Sequence, residues 1–165
     1  MFKVNDYVVY QYWICKIVDI TKLENNIIGF DNNSLFYVMK SLYEKETFYI
    51  PMENEKSLRK PLSKSQVLNL IDDIPNIEPL NFLTDELYKK TIHNYDCYSY
   101  IKIIKSINDK SKRVDKVGKR LSTLDSKYMY LAEKYLFDEF SFALDIQKDN
   151  VDNFIKDRLN INHAS

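Results

Sequence analysis

Residues Leu58 to Phe82 read "LRKPLSKSQVLNLIDDIPNIEPLNF". Three of the chain's four prolines, Pro61, Pro75 and Pro79, fall inside this stretch, and it ends on an asparagine followed by an aromatic ring. Before it the sequence is dense in β-branched and aromatic residues. After it apolar residues recur at helical spacing. The change of period at this point divides the 165 residues into two unlike parts, and the reading of each part starts from here.

Upstream, "DYVVYQYWICKIVDI" (Asp6 to Ile20), "LFYVMKSLY" (Leu35 to Tyr43) and "TFYIPM" (Thr47 to Met52) have strand composition, with turn-like "NN" and "EKE" breaks between them. Short strands at close spacing predict a small meander curling into a Tudor-like barrel over residues 1–57. Pro51 falls late in its strand, a place where proline is tolerated mainly on a sheet edge. Such an edge exposes backbone N–H and C=O groups that another protein can pair with. Trp13, the single tryptophan, reads as packing of that small core, and Cys15 as a buried strand residue.

Downstream, residues 58–165 read as an all-α domain of about five helices, giving an α+β chain of two domains. Ser63 can cap "KSQVLNLIDDI", which Pro75 stops, and Thr84 can cap "DELYKKTIHN". Asp96 can cap a long helix reaching about Gly118. Ser122 with Asp125 gives a capping-box-like start to a helix ending near Ile146, and a short last helix fits "NVDNFIKDRL".

Net charge is zero, yet residues 102–134 hold ten basic and four acidic side chains, a local +6. On a wheel of about 100° per residue, Ile103, Ile104, Ile107 and Val114 fall together, while Lys102, Lys105, Arg113, Lys116 and Arg120 fall opposite. Such a stripe suits a phosphate backbone, which cationic side chains bind by releasing counterions. A solvated helix face is the competing reading. Phe82 has two readings as well: core packing, or a projecting wedge that slips into a minor groove or against an unstacked base.

Bond chemistry finds little support. His93, Asp96 and Cys97 stand close together, but Asp96 is explained as a helix cap, His93 as a helix end, and His163 lies too far along to assist. The two cysteines and two histidines form no zinc spacing. Two glycines in all exclude the Gly-rich phosphate loops. The adjacent pairs Asp72–Asp73 and Asp138–Glu139 read as capping or solvated residues. The expectation is a protein that is not an enzyme and takes no cofactor, no metal and no small-molecule substrate. The lone cysteines, with no charged-then-apolar leader and no apolar run near the ~20 residues of a membrane span, predict a cytoplasmic location.

The opening stretch, "LRKPLS" with "LIDDIPNIEPLNF", resembles the interdomain connection of CarD-like (CdnL) bacterial transcription regulators. "MFKVNDYVVY", "CKIVDI", "FYVMKSLY", "FYIPMEN", "LST" and "AEKYLFDEFSFAL" agree in order, so the likeness runs from Met1 to about Leu144. It implies a Tudor-like module binding the RNA polymerase β subunit through an edge strand, which maps onto Thr47, Phe48, Tyr49, Ile50 and Pro51. It also implies a helical domain touching promoter DNA at the upstream edge of the bubble, through Asn81 and Phe82 and with the basic stripe on phosphates. Members often carry arginine where Tyr49 stands, tryptophan where Phe82 stands and a glycine-containing turn where "QYWI" (Gln11 to Ile14) stands. The expected function is stabilisation of the open promoter complex. The alternative is a polymerase-binding adaptor that makes no DNA contact.

Overall fold

The structure, a computed structural model, describes residues 1–23, 29 and 33–164. The chain divides into two compact units, Met1–Pro61 and Leu62–Ser165. Of the "NN" breaks expected before the second strand stretch, only Asn33 is among the described residues.

The first unit is a five-stranded antiparallel sheet of β1 (Tyr7–Tyr10), β2 (Trp13–Lys22), β3 (Leu35–Ser41), β4 (Thr47–Pro51) and β5 (Leu58–Arg59), in the order β4-β3-β2-β1-β5. A 3-10 helix over Met52–Ser57 joins the last two strands. Consecutive strands pair from β1 to β4, and β5 returns to pair with the far side of β1 through Val9↔Arg59 and Tyr10↔Leu58. That last pairing is why the unit runs to Pro61, past the boundary at residue 57 expected from composition. Val8, Cys15, Ile17, Tyr37 and Met39 form its buried core, with Phe48 and Trp13 packed alongside.

The β1–β2 hairpin has the two-residue loop Gln11–Tyr12, since Tyr10 pairs with Trp13. Gln11 holds φ +53, a left-handed conformation natural to glycine and costly for a residue with a Cβ. The loop therefore keeps a glycine-like shape without the glycine.

In the second unit, five α-helices are present among the described residues: α1 (Lys64–Asp73), α2 (Asp85–Ile92), α3 (Cys97–Lys116), α4 (Thr123–Leu144) and α5 (Val151–Ala164). Ser63 and Gln66 form a full capping box at α1, while Thr84 and Asp96 cap α2 and α3 with single side-chain acceptors. α3 stops in a Schellman motif: Gly118 takes φ +71, its N–H reaches the Asp115 carbonyl at 3.1 Å, and the Lys119 N–H reaches that of Val114 at 2.9 Å. α4 stops in the same way at Asp145, φ +54, short of Ile146. α5 extends past the short stretch expected of it, to Ala164.

The helices bury a core that includes Ile71, Tyr88, Ile103, Ile107 and Phe140. Ser122 caps α4 by accepting the Asp125 N–H at 3.1 Å, but the Asp125 carboxylate does not complete a capping box. It turns inward at 1 % exposure, accepting from the Tyr88 hydroxyl of α2 at 2.7 Å and from the Lys110 ammonium of α3. Burial raises the pKa of this acid, but the bonds from Lys110, Tyr88 and Ser122 outweigh that and hold it below the usual carboxylate range. One buried charge thus ties three helices together. Asp138 and Glu139, expected to be solvated, are buried too. Asp138 pairs with Lys148, and Glu139 accepts the Leu62 N–H at 2.9 Å. Asp72, also read as a capping or solvated acid, is gripped on both oxygens by Arg158 of α5 at 2.7 and 2.8 Å.

Two stability changes follow from this architecture. Gln11→Gly should raise the urea midpoint by the equivalent of about 0.5 kcal/mol, the relieved left-handed strain slightly exceeding the added chain entropy. A lowered midpoint would show that the glutamine side chain itself holds the turn. Lys110→Met should cost about 1–3 kcal/mol at neutral pH by leaving the Asp125 charge under-compensated. Because the folded pKa of Asp125 is lowered, that difference should shrink as pH falls through it. Paired urea titrations at neutral and acid pH measure both effects.

Candidate functional site

β4 is an end strand of the sheet, pairing with β3 on one side and with no strand on the other among the described residues. Its ladder has a readable phase. Antiparallel pairs alternate between those that exchange both backbone bonds and those that exchange none. The Ser41 N–H donates to the Glu46 carbonyl at 3.0 Å, so that pair belongs to the bonded class. Stepping along the register, Met39↔Phe48 and Tyr37↔Ile50 are bonded, while Lys40↔Thr47, Val38↔Tyr49 and Phe36↔Pro51 are not. The N–H and C=O groups of Thr47 and Tyr49 therefore point away from β3, out of the sheet.

Side chains follow the same parity. Phe48 and Ile50 turn into the core; Thr47 is exposed, and Tyr49 is 52 % exposed. Pro51, buried, occupies the unbonded pair with Phe36, where its missing N–H takes nothing from the β3–β4 ladder. Of the five residues mapped to polymerase binding, Thr47 and Tyr49 thus present an exposed, strand-accepting edge, while Phe48, Ile50 and Pro51 are turned inward or buried. Phe48 packs in a small aromatic group with its ring centroid 5.3 Å from Tyr10 and 5.4 Å from Trp13.

Glu55, a residue that sequence reading did not single out, ties the 3-10 helix after β4 to the N-terminus and to β3. Its carboxylate accepts the Phe2 N–H at 2.8 Å and the Tyr37 hydroxyl at 2.9 Å, and lies 3.5 Å from the amino group of Met1. The Phe2 bond first, then that from Tyr37, holds its pKa below the ordinary value. The partners lie far away in sequence, so no local motif could have found it.

In the helical unit, Asn81 and Phe82 form an exposed bend, and the Phe82 ring is 72 % exposed. Its flanks are anchored. The Leu80 N–H donates to the Ser106 hydroxyl of α3 at 2.8 Å, Leu83 packs against the core, and Asp85 accepts from the Tyr128 hydroxyl of α4 at 2.9 Å. The core-packing reading of Phe82 is therefore wrong: its neighbours are held inward and the ring is held out.

The predicted cationic stripe does not survive intact. Lys105 is half-buried and donates its ammonium to the carbonyls of Ile74 and Pro75, at 2.8 and 3.1 Å, satisfying the end of α1. Lys102 is half-buried as well. Arg120 lies beyond the end of α3, since Gly118 has already turned the chain, so the wheel does not place it. Arg113 and Lys116 are exposed on the last turns of α3, followed by exposed Lys119 and Arg120, so the cations gather at the α3–α4 turn. Lys119 was overlooked because it lay off the stripe.

Asp96 is occupied as the α3 cap, accepting the Ser99 N–H at 2.7 Å, while Cys97 is buried and His93 exposed. No group of three or more acidic, histidine or cysteine side chains is placed to hold a metal among the described residues. No described helix is long and apolar enough to cross a membrane.

A known family model covers the first unit. Residues 2–62 match the family model described as "CarD-like/TRCF RID domain". Over these residues the first unit is similar to the RNA polymerase-interacting domain of CarD-like proteins. No curated protein matches the chain. The match ends where the helical unit begins and contains the whole β4 edge together with Glu55.

The lowered pKa of Glu55 gives its bonds a defined pH signature. Their stabilising effect is present above the ordinary carboxylate range and is lost as pH falls through the folded value. Glu55→Gln should melt below the wild type near neutral pH, and the gap should close in acid. A gap that persists unchanged in acid would mean that the carboxylate charge is not what holds Phe2 and Tyr37.

Proposed function

We propose that this protein is a transcription regulator. It docks to the RNA polymerase β subunit by adding a strand to β4, and it stabilises the open promoter complex through the helical unit. The observation that carries the first half is the pair of outward-facing backbone amides at Thr47 and Tyr49 on an otherwise unpaired edge. With tyrosine at position 49, main-chain pairing and an aromatic surface take the place of a cationic contact. Pro51 limits the reach of the added ladder by offering no N–H.

The second half rests on an exposed ring held between anchored neighbours, and on the exposed cations at the α3–α4 turn of the same unit. Phe82 has the stacking face suited to a base at the upstream edge of a bubble, though it lacks an indole N–H, and Asn81 supplies a polar neighbour. Arg113, Lys116 and Arg120 suit the adjoining phosphates; Lys105, already committed to two carbonyls, does not. A ring that stacks only on melted DNA shifts the equilibrium toward the open complex, because differential affinity is what moves populations. One such contact is worth on the order of 1–3 kcal/mol.

The two halves separate experimentally. Tyr49→Pro removes an outward N–H that β3 does not use, so it should abolish polymerase association in a pull-down while the fold persists. Tyr49→Ala keeps that N–H and should weaken association only modestly. Phe82→Ala should leave association intact and shorten open-complex lifetime about tenfold, the equivalent of ~1.4 kcal/mol. If Phe82→Ala leaves the lifetime unchanged, the DNA contact is refuted and the adaptor reading takes over. If Tyr49→Pro and Tyr49→Ala act alike, docking does not run through the strand edge.

A further inference from the structure

Within the helical unit, α3, α4 and α5 enclose a cleft of about 330 Å³ next to the end of α1. Its lining combines an apolar floor, with Ile104, Leu136, Phe137 and Ile155, and an equal number of polar and charged side chains. The volume is that of a small-molecule site. It plays no part in the polymerase and DNA reading, and its fate is independent of that reading.

The charged groups around the cleft are not equivalent. Lys105 is bound to the Ile74 and Pro75 carbonyls, and Lys156 is paired with Asp152 one turn away on α5. Asp109 and Lys112 are both exposed on α3. Glu133 differs from all of these. It is half-buried on α4, lines the cleft, and has no hydrogen bond or ion pair among the described residues. Burial first, and then the Asp152 charge, raises its pKa, with Lys156 opposing only in part. A half-buried acid next to an apolar wall, short of a counter-charge, is matched by a cation with an apolar body.

We propose that this cleft binds a small apolar molecule bearing one protonated amine, with Glu133 as the group that holds the amine. The hydrocarbon part lies along Ile104, Leu136 and Ile155, and the ammonium replaces the hydration that burial denies Glu133. An anionic ligand is disfavoured beside Glu133 because that carboxylate and the neighbouring Asp152 would repel it. Binding should weaken as pH falls and Glu133 takes up a proton, while the amine remains charged throughout.

The test uses the full chain and three probes of equal length, hexylamine, hexanol and hexanoate, titrated while backbone amide shifts are recorded. Hexylamine should give saturable shifts concentrated around Ile104, Asn108 and Ile155. Its affinity should exceed that of hexanol and of hexanoate about tenfold. Glu133→Gln, isosteric and made at a residue without hydrogen bonds, should remove that tenfold preference. Equal affinity for hexylamine and hexanol in the wild type would overturn the charge reading even if the variant failed to fold. No saturable shift with any probe would overturn the site.

Discussion

The ladder between β3 and β4 admits only one parity, and most of what the first unit can do follows from it. In an antiparallel pair, a residue that turns its side chain inward here also spends its backbone groups on the neighbouring strand. Phe48 and Ile50 do this against Met39 and Tyr37, all four facing one core. The residues between them, Thr47 and Tyr49, are left with side chain and amide both free for a partner. A slip of one residue would bury Tyr49, expel Phe48 and require a bond from a proline that has no N–H. The core and the docking edge are therefore one constraint seen from two sides.

The helical unit is organised by buried carboxylates. Asp125 draws α2 and α3 onto the first turn of α4, and Glu139 receives the first amide of the unit near the other end of the same helix. Buried acids are stable only when hydrogen-bonded and paired, so each one fixes the elements that bring its donors. The Asp72–Arg158 fork joins α1 to α5 in the same manner, at a partly exposed site. The unit's rigidity matters for Phe82, because a projecting ring is useful only if the bend that carries it cannot fold the ring inward. Leu80 and Asp85 supply that restraint from α3 and α4 respectively.

The cations show how charge counted along a sequence differs from charge available in space. Ten basic residues between 102 and 134 suggest one broad face. In the fold, Lys105 closes a neighbouring helix end, Lys110 neutralises a buried acid and Lys134 has interactions of its own. Arg113, Lys116, Lys119 and Arg120 gather at the α3–α4 turn, where Gly118 ends the helix and moves Arg120 off the wheel.

The sequence by itself determined the strand-to-helix change, the caps at Ser63, Thr84, Asp96 and Ser122, the edge character of β4 and the asparagine–aromatic pair at Asn81 and Phe82. All are local: period, capping residue and proline chemistry act within a few positions. Tertiary structure alone decided that β5 belongs to the first unit, that Glu55 holds the N-terminus, that Asp125, Asp138 and Glu139 are interior, and that Phe82 stays outside. Each of these depends on a partner distant along the chain, and local sequence spacing cannot say which distant donor will meet which buried acceptor.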